Sequence, residues 1–130
     1  MTGMRPESLD ELLMRAVVES GADMGNIQLM NPQTGTLQIV TSLGFGWRFL
    51  SFFDSVHRGQ AGCGAALERS DRTVIEDVSR SLLFDDASRA IMAGAEARAC
   101  QSTPLRDPAG RIIGMLSTHR RTTGAFDGEV

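Results

Sequence analysis

The stretch QSTPLRDPAGRIIGMLSTH, residues 101–119, reads as two strands joined by a turn. The strands are predicted over Ala97–Leu105 and Arg111–His119. Arg106-Asp107-Pro108-Ala109-Gly110 between them supplies turn formers: proline presets φ, aspartate bonds nearby amides and glycine accepts positive φ. Side chains alternate along a strand, so Cys100 and Ser102 share one face of the first. Met115, Ser117 and His119 share one face of the second. The sequence does not fix whether these two faces coincide, because a bulge near the turn would shift the register by one residue and reverse the answer.

Working outward, Asp86–Ala93 is expected to be helical and to stop at Gly94. Thr73–Val78 (TVIEDV) is a β-branched strand. Its Glu76 and Asp77 are adjacent and point to opposite faces, so they cannot act as a carboxylate pair; Asp77 is expected to end the strand by bonding loop amides. Cys63–Arg69 reads as a short helix opening out of a glycine-rich loop, Arg58–Gly64. In Gly44–Val56, Phe45, Phe49 and Phe53 recur every fourth residue, which fits a short helix laying rings on the core. Asn26–Met30 and Thr36–Thr41 form a hairpin around Asn31-Pro32-Gln33-Thr34-Gly35. Before it, Leu9, Leu12, Leu13, Ala16 and Val17 fall on one face of a helix. Ser8 with Glu11 caps its start and Gly21 ends it. Residues 1–7 read as a tail, and Phe126–Val130 as the first turn of a truncated helix. The element order gives an α+β fold: a mainly antiparallel sheet with helices packed on it.

Composition narrows the function. With 130 residues, 42% of them hydrophobic, the chain can bury one core. A net charge of −3 argues against nucleic acid or an anionic membrane as partner. No signal peptide or membrane span is read, and two cysteines without an export signal indicate reduced thiols in the cytoplasm. All 13 basic residues are arginine, and lysine and tyrosine do not occur. This removes Schiff-base lysines, P-loop lysines and tyrosine acids.

Cys63, at the opening of a helix among Gly59, Gly62 and Gly64, reads either as a thiol activated by helix-terminal amides or as a small structural residue. The glycines themselves fit a phosphate cradle or simply a tight entry into a packed helix. His119 reads either as pocket-facing or as a half-exposed residue at a strand end, and His57 as an exposed loop residue. The spacing of Cys63, Cys100, His57 and His119 matches no zinc pattern.

The order of elements, together with GNIQLMNPQTGTLQIV (25–40), GCGAAL (62–67), VIEDV (74–78) and the final hairpin with Asp107, Gly110, Gly114 and Leu116, resembles a GAF domain. The likeness is to the modules of bacterial sensor histidine kinases and runs from about Leu9 to Phe126, so residues 8–125 are taken as the domain. The resemblance implies a six-stranded antiparallel sheet with helices on both faces and a ligand pocket under the middle helices. It also implies a homodimer through the terminal helices and an output domain such as a histidine kinase. Two relatives within the fold bear on single residues. The segment around Cys63 is similar to one in free methionine-R-sulfoxide reductases, but their second cysteine segment has no counterpart at Leu83–Ala87, which leaves Cys100 alone to resolve an oxidised thiol. Cys100, Ser102 and His119 resemble positions that touch the chromophore in bilin-binding domains, but the Cys-His attachment pair is missing. The lysine-containing motif of the cyclic-nucleotide modules cannot be present.

The expectation is therefore a non-catalytic sensor with no cofactor. Its ligand-binding residues are Cys100, Ser102, Met115, Ser117 and His119, all bet to face one cavity, and its ligand is a small organic molecule. The alternatives are a sulfoxide reductase using Cys63 and a module that only dimerises. Leu13 and Val17 are expected to be partly uncovered and to form the dimer contact.

Overall fold

The structure, a computed structural model, describes residues 8–54, 61–124 and 126. The expected tail over 1–7, the loop holding His57 and Gly59, and the helical turn from 127 onward lie outside these residues. The Ser8 hydroxyl accepts from the Glu11 amide at 3.1 Å and opens α1, Leu9–Glu19. Gly21, at φ +68°, takes the left-handed conformation just past its end. β1 (Met24–Asn31) and β2 (Thr36–Leu43) form the first hairpin, closed by Gly35 N–H donating to Asn31 O at 2.8 Å. α2 (Trp47–Phe52) and α3 (Ala61–Arg69) follow. β3 covers only Thr73–Ile75, shorter than the expected Thr73–Val78. Asp77 ends it as anticipated: its carboxylate accepts from the Ser79 amide and hydroxyl and starts a 3-10 turn over Val78–Arg80. α4 (Asp86–Gly94) is capped by Asp85, and the left-handed residue beyond it is Glu96, not Gly94. β4 (Ala99–Arg106) and β5 (Ile112–Arg120) close the fold.

The strands form one antiparallel sheet in the order β2-β1-β5-β4-β3. There are five strands among the described residues, against the six that the family resemblance implied. The five correspond to the five strands expected from the sequence.

Alternation along the central strands divides the core in two. Leu13 and Ala16 of α1 pack with Ile27 and Leu116. Residues of the opposite parity, Met24, Cys100 and Met115, join a larger cluster with Phe49 and Phe53, Ala66 and Leu67 of α3, and Met92 of α4. The expected uncovering of Leu13 is overturned: it is fully buried, worth about 2 kcal/mol of transfer free energy, and Val17 is half-buried. Val17 thus stays partly uncovered as expected, Leu9 is 39% exposed, and the most exposed apolar residues of this helix are Met14 and Val18, at 58% and 72%. They lie one position round from the pair expected, because the sheet takes the whole Leu13–Ala16 stripe.

Two close approaches hold the layers. At Gly62 an added Cβ would stand 3.3 Å from Cys100 Sγ, so α3 lies directly on β4. At Gly114 it would overlap the backbone carbonyl oxygen of Gln28 on the neighbouring strand. Backbone cannot yield as a side-chain tip does. Gly114→Ala is therefore expected to lower stability by about 2 kcal/mol or more, measured by urea unfolding, whereas Gly94→Ala, which meets nothing within 4 Å, should not.

Candidate functional site

Register decides the site. β4 and β5 pair with Cys100 opposite His119, Ser102 opposite Ser117 and Pro104 opposite Met115. β1 adds Met24 beside His119, Asn26 beside Ser117 and Gln28 beside Met115. Directly opposed residues share a face. All five residues expected in the pocket therefore stand on one face, because the irregularity in the hairpin falls between Leu105 and Arg106, beyond them. Four of the five, Cys100, Ser102, Ser117 and His119, line a cavity of about 20 Å³. Met115 shares their face but is buried in the apolar cluster and does not line the cavity.

The floor is polar and the roof is not. Asn26 and Gln28 complete the floor from β1, while Phe49, Phe53, Cys63, Phe84 and Met92 close over it from the helices and the loop before α4. Asn26 and Gln28 were missed in the sequence because Ile27 and Leu29 were read as the apolar face, leaving their neighbours for solvent. β1 is an inner strand, paired on both edges, and both of its faces are covered. The available signal was two amide side chains in a strand that a helix before it and a hairpin partner after it would enclose.

The polar floor is only partly satisfied by the protein. Ser102 Oγ and Ser117 Oγ hydrogen-bond each other at 2.7 Å. Asn26 Oδ1, Gln28 Oε1 and both ring nitrogens of His119 have no hydrogen-bond partner among the described residues, although these residues are 3%, 1% and 5% exposed. Three threonine hydroxyls are also unpartnered, at Thr73, Thr103 and Thr118, but none lines the cavity. A buried polar group left unpaired costs about 1–3 kcal/mol, so three such side chains converging on one small space weigh against stability. The volume is enough for one water.

Burial sets the protonation states. It pushes the His119 pKa down to about 3, and the edges and faces around the ring belong to Phe45 and Phe49, with centroids at 5.0 and 5.9 Å. Burial pushes the Cys100 thiol up to about 12, with the neighbouring Cys63 adding to the shift. Cys63 is also raised by burial, against hydrogen bonds from Gln28 and from the amides of Gly64 and Cys63 itself. The helix-terminal amides therefore do not win, and neither thiol is a thiolate near neutral pH. Both cysteines are free. No group of three or more metal-ligating side chains occurs among the described residues. No helix among them is long and apolar enough to cross a membrane.

The His119 shift has a measurable consequence. Its folded pKa lies below the unfolded value of about 6.5, so the unfolded chain takes up the proton first. The neutral-His contribution to stability is complete above about pH 6.5 and is lost as pH falls toward 3. The groups around the ring, Cys100 and Cys63, do not titrate in that window, and Asp85, lowered by its bonds to Ser88, titrates beneath its ordinary value. Stability is expected to fall by about 2 kcal/mol between pH 7 and pH 5, measured by urea unfolding. In His119→Phe most of that fall should vanish.

The GAF domain sequence profile matches residues 4–129. Among solved structures, the fold is similar to a domain of a putative two-component sensor histidine kinase from Sinorhizobium meliloti (TM-score 0.72, 18% identity, 93% of this chain and 79% of that one). It is also similar to the free methionine-R-sulfoxide reductase of Neisseria meningitidis (TM-score 0.70, 21% identity, 91% and 65%). A third likeness is to a Staphylococcus aureus NreA protein mutated in its nitrate binding site (TM-score 0.73, 19% identity, 92% and 90%). At these identities the likeness is one of fold. None of the curated proteins matches in sequence. The match over nearly the whole chain, on this sheet and these helices, makes the chain a member of the GAF domain family.

Proposed function

We propose that this GAF domain is a non-catalytic cytoplasmic sensor module. Its cavity takes a compact, partly polar organic ligand on Asn26, Gln28, Cys100, Ser102, Ser117 and His119, and it signals to an output domain such as a histidine kinase. The observation that carries this reading is the set of buried, unpartnered polar groups under an apolar roof. Binding sites have this form: mostly apolar, with a few polar groups that fix orientation. Transmission follows from the sheet. β1 and β5 present Asn26, Ser117 and His119 to the cavity and Ile27 and Leu116 to α1. A ligand that shifts these two strands biases the position of α1, which is a population shift with a defined lever. The homodimer belongs to the same reading, with the exposed Met14 and Val18 on α1 as its contact.

A free methionine-R-sulfoxide reductase is the second reading, favoured by one observation: Cys63 and Cys100 line the same cavity. Against it, a thiol held protonated by burial is a poor nucleophile.

Four outcomes test the sensor reading. With free methionine-R-sulfoxide and dithiothreitol, no turnover is expected; turnover abolished by Cys63→Ala would establish the reductase. In a thermal-shift panel of compact polar metabolites, at least one should stabilise the wild-type protein and not Asn26→Leu. Asn26→Leu without ligand should be at least as stable as wild type, since it removes an unpaired buried carbonyl; loss of more than about 1 kcal/mol would mean the side chain serves the fold. Sedimentation should give a dimer, converted to monomer by Val18→Glu; a wild-type monomer at high concentration would remove dimerisation from the account.

A further inference from the structure

Among the described residues, those lining the cavity include neither an arginine nor a carboxylate. Of the polar ones, the two serines are neutral and bonded to each other, and two are amides. An ion entering this space would lose its hydration and meet no counter-charge among the described residues. Asn26 and Gln28 each offer an unpartnered carbonyl oxygen, and a neutral imidazole offers one donor and one acceptor. The arrangement is uncharged and weighted toward acceptors.

From this juxtaposition we propose that the pocket selects an uncharged small molecule bearing several N–H or O–H donors, of the amide, urea or polyol kind, and rejects ions of the same shape. The inference rests on the sensor reading and narrows its ligand. The donors of such a molecule meet Asn26 Oδ1 and Gln28 Oε1, and its carbonyl or hydroxyl oxygen meets the N–H of His119. The charge-neutral site needs no ion pair and excludes charge by desolvation alone, which is specificity by rejection. A molecule of a few heavy atoms exceeds a cavity of about 20 Å³, and two side chains can make room. Met92 is unbranched and adaptable. Phe49 also lines an outer groove between α2 and α4, so its ring has space to move into on that side.

Urea, guanidinium and nitrate are planar, three-armed and close in size, and they differ in charge. Isotope-labelled protein is titrated with each at millimolar concentration and constant ionic strength, following the side-chain amides of Asn26 and Gln28 and the His119 ring by NMR. Urea is expected to give saturable shifts at these groups with a Kd at least tenfold lower than either ion, and Gln28→Leu, near-isosteric, should abolish them while the spectrum elsewhere stays native. Guanidinium or nitrate saturating the same signals as tightly as urea overturns the charge selection and leaves the pocket standing. No saturable shift at these groups from any of the three overturns the inference and the pocket reading together.

Discussion

The pairing of Cys100 with His119 and of Ser102 with Ser117 across β4 and β5 puts these four residues on one face, and the rest of the site depends on it. A slip of one residue would send Ser117 and His119 toward α1 and bring Leu116 and Thr118 to the helices. Gly114 lets β5 lie against β1, since only a glycine leaves room for the Gln28 carbonyl. Gly62 fixes the height of the roof, since α3 could not otherwise approach Cys100. With both constraints in place, a polar floor and an apolar roof meet with a small gap between them.

That gap conflicts with stability. A sequence optimised only for folding would place leucine or valine at Asn26, Gln28 and His119, as the neighbouring positions Met24, Ile27 and Leu37 do. Here three inward-facing polar side chains keep unpartnered atoms at a cost of about 1–3 kcal/mol each. Local departures from the fold's best solution concentrate at functional sites. The same burial that makes the groups costly also holds His119 neutral and both thiols protonated near neutral pH.

Much of the fold was legible because its signals are local. The Ser8 cap, the two turns ending in Gly35 and Gly110, and the alternation of five strands all act within a few residues of themselves. What was not legible depended on distant partners. Leu13 was read as partly uncovered because the sequence does not say that α1 lies across Ile27 and Leu116. β3 stops at Ile75, where Asp77 begins to bond the Ser79 amide, although the residue types through Val78 favour a strand. At the site, the shared face of Cys100, Ser102, Met115, Ser117 and His119 was a bet on resemblance that the register places together, although Met115 does not line the cavity. Asn26 and Gln28 were invisible because a polar residue alternating with Ile27 and Leu29 looks like a solvent face until the strand is known to be enclosed on both sides.

The central claim is that Asn26, Gln28 and His119 are held apart to hydrogen-bond something that enters between them. A crystal structure at a resolution that distinguishes side-chain amide orientation and ordered water tests this most directly. The account predicts density for a water or small molecule in the cavity, within about 3 Å of Asn26 Oδ1, Gln28 Oε1 and a ring nitrogen of His119. Side chains turned to bond one another, with the cavity collapsed around them, would contradict it.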